Sequence, residues 1–179
     1  MHKDVKKILI SEEEIVRRCK ELGKQITEDY RNSNEVPLLV ALLRGSVPFL
    51  AELIKHIELD IRFDFMDVSS YDGTESIGDV KINLDLPLSV KGLSVLLVED
   101  IVDTGRTLSE VTQLLKNKGA KEVKIVSLLD KPDRRVVDID ADYVGFEIPN
   151  EFVIGFGLDF NQKYRNLPYI GVLKDEFYQ

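Results

Sequence analysis

The sequence predicts an α/β fold with a mostly parallel central sheet flanked by helices. Two observations support this prediction. Short apolar runs alternate with amphipathic segments along the 179 residues, and the run V-L-L-V at 95–98 is apolar at every position. A continuous apolar run is typical of a strand buried on both faces of a parallel sheet, whereas antiparallel strands commonly alternate in polarity. Strands that alternate with helices are the pattern of α/β domains.

The first helix is predicted to begin after Ser11 and to continue to about Tyr30. S-E-E-E places a Glu three residues after this Ser, which is the pattern of a capping box. The single cysteine, Cys19, lies on the apolar face of this helix, so we expect a buried structural thiol rather than a nucleophile. Short apolar runs and the polar turns between them predict the other elements: strands or strand-like runs at 37–43, 61–68, 80–84, 93–98, 121–129, 143–146, 152–155 and 170–173, and helices at 48–55 and 108–118.

The most informative stretch is 95–107, V-L-L-V-E-D-I-V-D-T-G-R-T. Its apolar run ends in two adjacent carboxylates, Glu99 and Asp100, and T-G-R-T follows at the start of a helix. In open α/β sheets, ligands bind at the carboxyl ends of the strands. Paired carboxylates suit the two hydroxyls of a ribose or a hydrated divalent cation, and the free N–H groups of a helix start favour a phosphate. One turn could therefore hold a sugar on its acidic side and a 5′-phosphate on its amide side.

This stretch resembles the phosphoribosyl-pyrophosphate motif of the type I phosphoribosyltransferases, and specifically of their 6-oxopurine branch, the hypoxanthine-guanine phosphoribosyltransferases. Four more segments carry the resemblance in the expected order: L-L-R-G-S at 42–46, S-S-Y-D-G-T at 69–74, L-L-D-K-P-D-R-R at 128–135 and the run at 144–173. The resemblance implies the type I phosphoribosyltransferase fold. Residues 1–179 would form a single phosphoribosyltransferase domain, with a small hood subdomain built from the N-terminal and C-terminal segments.

The resemblance also implies an activity, which is purine salvage. The enzyme would transfer the 5-phosphoribosyl group from phosphoribosyl pyrophosphate to N9 of hypoxanthine or guanine, giving IMP or GMP and pyrophosphate, with Mg²⁺ required. Such enzymes are usually homodimers or homotetramers, and we expect the same here.

Individual roles follow from the resemblance. Asp103 would be the catalytic base that handles the purine N7 proton, although an Asp at a helix entry can also serve only as a cap. Glu99 and Asp100 would hold the ribose hydroxyls or a metal ion bound to them, and Asp159 would contact a second Mg²⁺. The binding residues are Thr104, Gly105, Arg106 and Thr107 for the 5′-phosphate, Arg44, Gly45, Ser70, Tyr71 and Arg165 for pyrophosphate, and Lys131, Phe152, Val153 and Asp159 for the purine.

Some of these roles have a direct chemical reason. A Lys131 ammonium can donate to O6 of a 6-oxopurine and suits a 6-amino group poorly, which favours hypoxanthine and guanine over adenine. Arg106 stands where many relatives carry Lys, so the charge is kept but the shape is not. The polar loop 69–79 is expected to be a mobile lid. In the family, the peptide bond before the residue at position 44 is often cis.

Composition excludes several other classes of protein. The net charge of −8 disfavours nucleic acids and anionic membranes as partners. No segment approaches 18 apolar residues, and the N-terminus lacks the apolar core of a signal peptide. A single cysteine fits a reducing compartment, so we expect a cytoplasmic protein. The sequence completes neither a dinucleotide-binding G-x-G-x-x-G nor a Walker motif.

Two other functions remain open. One is an RNA-binding transcriptional regulator on the same fold, like the pyrimidine-operon attenuator, and the other is a nucleotide-sensing protein without turnover. The regulator group typically lacks an Asp at the base position and presents a basic face, so Asp103 and the acidic net charge argue against it. The presence of Asp103, Lys131 and Arg165 together argues against a protein that only binds.

Overall fold

The structure, a computed structural model, describes residues 1–33, 35–70 and 80–178. Its helices and strands follow in the order β1 Val5–Ile10, α1 Glu12–Arg31, β2 Leu38–Leu42, α2 Val47–Leu53, β3 Arg62–Ser70, β4 Val80–Leu84, β5 Ser94–Val102, α3 Arg106–Asn117, β6 Glu122–Asp130, β7 Tyr143–Glu147, β8 Val153–Ile154 and β9 Ile170–Leu173. Single 3₁₀ turns occupy Ile54–His56, Pro132–Arg134 and Asp175–Phe177.

The described strands form two sheets. The larger one has the order β4-β3-β2-β5-β6-β7 and is parallel except for the antiparallel edge pair β3–β4. The smaller one has the order β1-β9-β8 and is antiparallel. The predicted α/β class with a mostly parallel central sheet is therefore confirmed. Along the described ranges, no helix is both long and apolar enough to span a membrane.

The central strand β5 is buried on both faces, as its continuous apolar run predicts. Leu96 and Val98 pack into the core beneath α1 and α2, whereas Val95 and Leu97 pack into the core beneath α3. All four side chains are fully inaccessible to solvent. Burial of one such side chain stabilises a fold by about 1.5–3 kcal/mol. The packing of this strand therefore stabilises the helical layers on both faces of the sheet.

Helix α1 begins as predicted. The Glu14 N–H donates to Ser11 Oγ at 3.3 Å, and the Ser11 N–H donates to Glu14 Oε2 at 2.8 Å, which completes the capping box. Cys19 is fully buried on the inner face of the helix, and desolvation raises the pKa of its thiol to about 12. The thiol is therefore structural, as expected.

Several boundaries differ from the prediction. β5 continues past the apolar run to Val102 because its last residues go on pairing with β6, so Glu99 and Asp100 lie in the strand rather than in a turn after it. Helix α3 starts two residues early, and Arg106 and Thr107 form its first turn. β3 extends to Ser70, which shortens the expected loop 69–79, and 71–79 lie outside the described residues.

Strand β1 is missing from the sequence prediction. Its pairing with β9 has register shifts between Val5 and Lys7 and between Ile8 and Ile10. Each shift interrupts the alternation of inward and outward side chains, and that alternation is the signal by which a half-buried strand is recognised.

The larger sheet reverses its winding between β2 and β5. From β2 the chain proceeds to β3 on one side, and from β5 it proceeds to β6 on the other. Such a switch point opens a crevice beyond the carboxyl ends of the two strands, where α/β proteins bind ligands. The segments after β2 and β5 meet at this crevice.

The capping box gives a stability prediction. Ser11→Ala removes the side-chain acceptor at the start of α1, so the free energy of unfolding should be about 1 kcal/mol lower than in the parent protein. Urea denaturation measures this difference. Ser11→Thr, which keeps a hydroxyl at the cap, is the matched control and should stay close to the parent protein. Equal stability of the Ala and Thr variants would show that the cap contributes nothing.

Candidate active site

Two cavities lie at the carboxyl edge of the larger sheet. The first cavity, of about 260 Å³, lies at the switch point, with lining residues that include Leu43, Glu99, Asp103, Thr104, Gly105 and Thr107. The second cavity, of about 490 Å³, lies toward the smaller sheet, with lining residues that include Asp103, Lys131, Arg134, Phe152, Asp159 and Tyr178. The predicted phosphate loop thus lines the first cavity and the predicted purine residues line the second.

Glu99 and Asp100 bring a concentrated negative charge to the switch point. Burial, and then the neighbouring Asp100 carboxylate, raise the pKa of Glu99 well above its usual range. A bound cation would relieve both effects, because its charge offsets the loss of hydration and the repulsion between the carboxylates. The arrangement therefore suits a metal ion or hydroxyl donors better than an anion.

Gly45 is required by the close approach of the two central segments. A Cβ atom at this position would lie 1.6 Å from Asp100 Oδ2, and a Cβ atom on Gly157 would lie 1.9 Å from the Gly45 carbonyl oxygen. Gly157 in turn accepts a hydrogen bond from Arg165 Nη1 at 2.7 Å. The Asp100 carboxylate, Gly45 and Gly157 are therefore packed in sequence, and Arg165 is hydrogen-bonded to the last of them. The Leu43–Arg44 peptide bond at the start of this segment is cis.

The phosphate loop ends in a helix start of the kind that binds anions. Gly105 is the N-cap of α3 and has φ +82°, a conformation that favours glycine. The Ser109 N–H bonds back to the Gly105 carbonyl at 2.9 Å, and the N–H groups of the turn before it have no partner further back in the helix. Thr104 and Thr107 both line the first cavity beside this helix start. Together they form a cradle for a phosphate.

Asp103 lies between the two cavities and lines both of them. Arg134 Nε donates to its Oδ1 at 3.0 Å, and Arg135 Nη1 donates to its backbone carbonyl at 2.6 Å. Arg135 also forms a short ion pair with Asp130 at the end of β6. The β6 edge of the sheet thereby fixes the backbone of Asp103, while the carboxylate remains partly exposed to the cavities.

The second cavity combines a buried cation with an aromatic face. Lys131 is buried, and its Nζ donates to the Glu151 carbonyl at 2.7 Å. Desolvation lowers the pKa of Lys131, an effect that the nearby Asp103 carboxylate partly opposes. The Phe152 ring is 36 % exposed and contributes to the same wall. An apolar face beside a fixed donor suits a flat heterocycle that carries a carbonyl oxygen.

The remaining predicted residues differ in their surroundings: some are already paired, some are exposed, and one lies outside the described residues. Asp159 lines the second cavity but is already paired, with Oδ1 2.9 Å from Arg165 Nη2 and Oδ2 accepting the Gln162 N–H at 2.8 Å. The side chains of Arg44 and Arg106 are exposed. Ser70 is the last residue of β3, and Tyr71 lies outside the described residues.

Sequence reasoning missed three residues at this edge. Arg134 and Arg135, which contact Asp103, belong to the D-K-P-D-R-R run, whose sequence alone indicates no role for its two arginines. Tyr178, which lines the second cavity, lies in a C-terminal segment that carries no recognisable motif. Among the described residues, no group of three Asp, Glu, His or Cys side chains converges on one point, so Asp159 does not join the Glu99–Asp100 pair.

Known proteins are similar to this chain both in sequence and in architecture. Residues 6–161 match the family described as the phosphoribosyl transferase domain. The hypoxanthine-guanine phosphoribosyltransferase of Lactococcus lactis is 58% identical over 99% of this chain and 96% of its own length, and that of Streptococcus thermophilus is 57% identical over 99% and 98%. The crystal structure of a hypoxanthine phosphoribosyltransferase from Staphylococcus aureus is 51% identical, with a TM-score of 0.94 over 100% of this chain and 97% of that one.

These similarities extend over nearly the whole chain, and they include the strands and loops that form both cavities. The chain therefore belongs to the phosphoribosyltransferase family and is an enzyme of its hypoxanthine-guanine branch.

Proposed function

We propose that the protein carries out purine salvage by transferring the 5-phosphoribosyl group of phosphoribosyl pyrophosphate to N9 of hypoxanthine or guanine. The products are IMP or GMP and pyrophosphate. The observation that supports this most strongly is the position of Asp103 between a cavity suited to a sugar phosphate and a cavity suited to a flat base. A nucleotide that spans both cavities would bring its glycosidic bond and its base N7 close to this carboxylate.

The first cavity would hold the phosphoribosyl group. The helix start at Thr104–Thr107 would bind the 5′-phosphate through its N–H groups and hydroxyls. Glu99 and Asp100 would accept hydrogen bonds from the ribose hydroxyls or bind a metal ion held by them. Pyrophosphate would lie toward Arg44, Gly45 and Arg165, which is supported by the packing of Gly45 and Arg165 against Gly157. Ser70 and Tyr71 are proposed to complete this subsite.

The chemical step breaks the bond between C1′ and the pyrophosphate oxygen and forms the bond between C1′ and N9. Charge develops on C1′ in an oxocarbenium-like transition state, as in glycoside hydrolysis. The base loses its N7 proton as N9 attacks, and Asp103 would accept this proton as general base. Arg134, 3.0 Å from Asp103 Oδ1, would move or share this carboxylate when a base binds.

The second cavity would select the base. Lys131 would donate to O6, Phe152 would stack on the ring, and the backbone of Val153 would contact the base edge. Adenine carries an amino group where hypoxanthine carries O6. This amino group and the Lys131 ammonium are both hydrogen-bond donors, so no hydrogen bond would form between them. Asp159 would contribute at the far edge of the base or through a second metal ion.

Mg²⁺ is the proposed cofactor, and the donor set fits it. Glu99 and Asp100 would supply oxygen ligands, and a cation would oppose both causes of the raised Glu99 pKa, which are burial and then the neighbouring Asp100 carboxylate. When bound, Mg²⁺ neutralises charge on the phosphoribosyl pyrophosphate and on its leaving group. Asp159, which does not join this pair in one cluster, is proposed to contact a second ion directly or through water.

We propose further that residues 1–179 form one domain, with the sheet β1-β9-β8 as its hood. That sheet joins the N-terminal strand to two C-terminal strands, and the second cavity lies beside it. A homodimer or homotetramer and a cytoplasmic location are also proposed. The buried thiol of Cys19 suits a reducing compartment.

The direct test of this function is nucleotide formation from phosphoribosyl pyrophosphate and Mg²⁺ with hypoxanthine, guanine, xanthine, adenine and uracil. We expect turnover of hypoxanthine and guanine, with adenine and uracil inactive. Turnover of uracil alone, or of none of the bases, would contradict the assignment and favour a regulator built on the same fold.

Asp103→Asn tests the general base. The amide keeps the shape of the side chain but accepts a proton poorly, so kcat should fall by about 100-fold or more, with little change in the KM for phosphoribosyl pyrophosphate. Asp133→Asn, an exposed carboxylate in the nearby 3₁₀ turn, is the matched control and should retain activity. Full activity of Asp103→Asn would rule out the base role.

Lys131→Met tests base selection. Loss of the donor to O6 should raise the KM for hypoxanthine about 10- to 100-fold, the usual effect of one charged hydrogen bond. The exposed Lys116→Met is the control and should leave this KM unchanged. An unaltered KM in Lys131→Met would mean that the ammonium does not contact the base.

Metal removal tests the cofactor. EDTA should abolish turnover and added Mg²⁺ should restore it. Asp100→Asn should raise the Mg²⁺ concentration needed for half-maximal rate, because one anionic ligand is lost. Turnover that persists after exhaustive chelation would contradict the requirement for Mg²⁺.

A further inference from the structure

Tyr178 occupies an unexpected position for a residue so close to the C-terminus. Its ring lies on the Phe152 ring, with centroids 5.0 Å apart and planes 24° apart, and both residues line the second cavity. Phe160 meets the same Phe152 ring edge-on, at 5.5 Å and 89°. One aromatic neighbour therefore covers a face of Phe152, and another meets it at right angles.

The pairing of β8 with β9 explains how the C-terminus reaches the cavity. The strands are antiparallel with Val153 opposite Val172, so the chain that leaves β9 emerges beside the residue that precedes β8. The Leu173 N–H donates to the Phe152 carbonyl at 2.9 Å, which fixes this proximity. The 3₁₀ turn Asp175–Phe177 then reverses the chain and brings Tyr178 over the ring.

Strand β1 anchors this turn. Tyr178 Oη donates to Asp175 Oδ1 at 2.9 Å, and Lys6 Nζ donates to Asp175 Oδ2 at 2.9 Å. The Lys174 N–H also donates to the Asp4 carbonyl at 3.1 Å. The Tyr178 ring is thus held at both ends, by its backbone through the turn and by its hydroxyl through Asp175.

We propose that Tyr178 is a positioning residue for the purine, which acts by fixing the plane of the Phe152 ring on which the base stacks. This inference rests on the proposed role of Phe152 as the stacking surface. Phe152 lies outside regular structure, immediately before β8, and its ring is partly exposed. Stacking needs a ring at a defined tilt, and Tyr178 and Phe160 together restrict that tilt.

The consequence is confined to binding of the base. Asp103 and the phosphate loop are held by β5, β6 and Arg135, none of which belongs to the C-terminal turn. Loss of the Tyr178 ring should therefore weaken binding of the base without altering the chemical step or the phosphoribosyl pyrophosphate subsite. If Tyr178 instead filled the place of the base, its removal would strengthen binding.

Steady-state kinetics of the full chain test this inference. Tyr178→Ala should raise the KM for hypoxanthine by about three- to tenfold, the equivalent of one lost aromatic pair, with kcat and the KM for phosphoribosyl pyrophosphate unchanged. Tyr178→Phe keeps the ring and loses only the hydroxyl, so it should restore most of the affinity. An unchanged or lowered KM in Tyr178→Ala would overturn the proposal.

Phe177→Ala is the matched control, because it removes an exposed aromatic ring from the same turn. Its KM for hypoxanthine should match that of the parent protein. An equal rise in both Ala variants would point to general loosening of the C-terminus and would also overturn the proposal.

Calorimetric titration with GMP separates this inference from the proposed function. It measures binding of a nucleotide across both cavities without turnover, and because only its base would contact Phe152, Tyr178→Ala should bind GMP about three- to tenfold more weakly than the parent. A parent protein that turns over none of the bases contradicts the proposed function, whereas equal GMP affinity of the parent and Tyr178→Ala contradicts only the role of Tyr178.

Discussion

β2 and β5 lie side by side at the centre of the larger sheet, with Ala41 opposite Val98 near the end of their pairing. Beyond this pair, the segment that follows β2 comes so close to β5 that only glycine fits at position 45, against the Asp100 carboxylate. This approach sets the position of the Asp100 carboxylate. Arg165 donates to the Gly157 carbonyl, so the segment from Gly157 to Arg165 packs against the same point. The first cavity lies here because the sheet reverses its winding between β2 and β5.

Features that depend on local chemistry could be predicted from the sequence. The capping box of α1 needs only Ser11 and Glu14, and the double burial of β5 follows from an uninterrupted apolar run. The cradle at Thr104–Thr107 also follows from local pattern, because a glycine and hydroxyl residues stand where a helix begins. The resemblance to phosphoribosyltransferases relates Lys131 and Phe152 to one site, and these two residues line one cavity although they are far apart in the sequence.

Features that depend on contacts between distant segments could not be predicted. The extension of β5 through Glu99 and Asp100 is stabilised by pairing with β6, and two adjacent acidic residues do not themselves predict a strand. β1 is concealed by its register shifts. The ties from Arg134 and Arg135 to Asp103 span about 30 positions, and the stack of Tyr178 on Phe152 depends on the pairing of two short strands. In each case the signal lies in the tertiary partner and not in the residue itself.

In the proposed function, one nucleotide spans both cavities across Asp103. The most direct measurement is a crystal structure of the protein with GMP bound. We expect the phosphate at the N–H groups of Thr104–Thr107 and the guanine against Phe152, with O6 near Lys131 Nζ. An Asp103 carboxylate oxygen should lie within hydrogen-bonding distance of N7. A nucleotide bound with its base outside the second cavity, or with N7 remote from Asp103, would contradict this expectation.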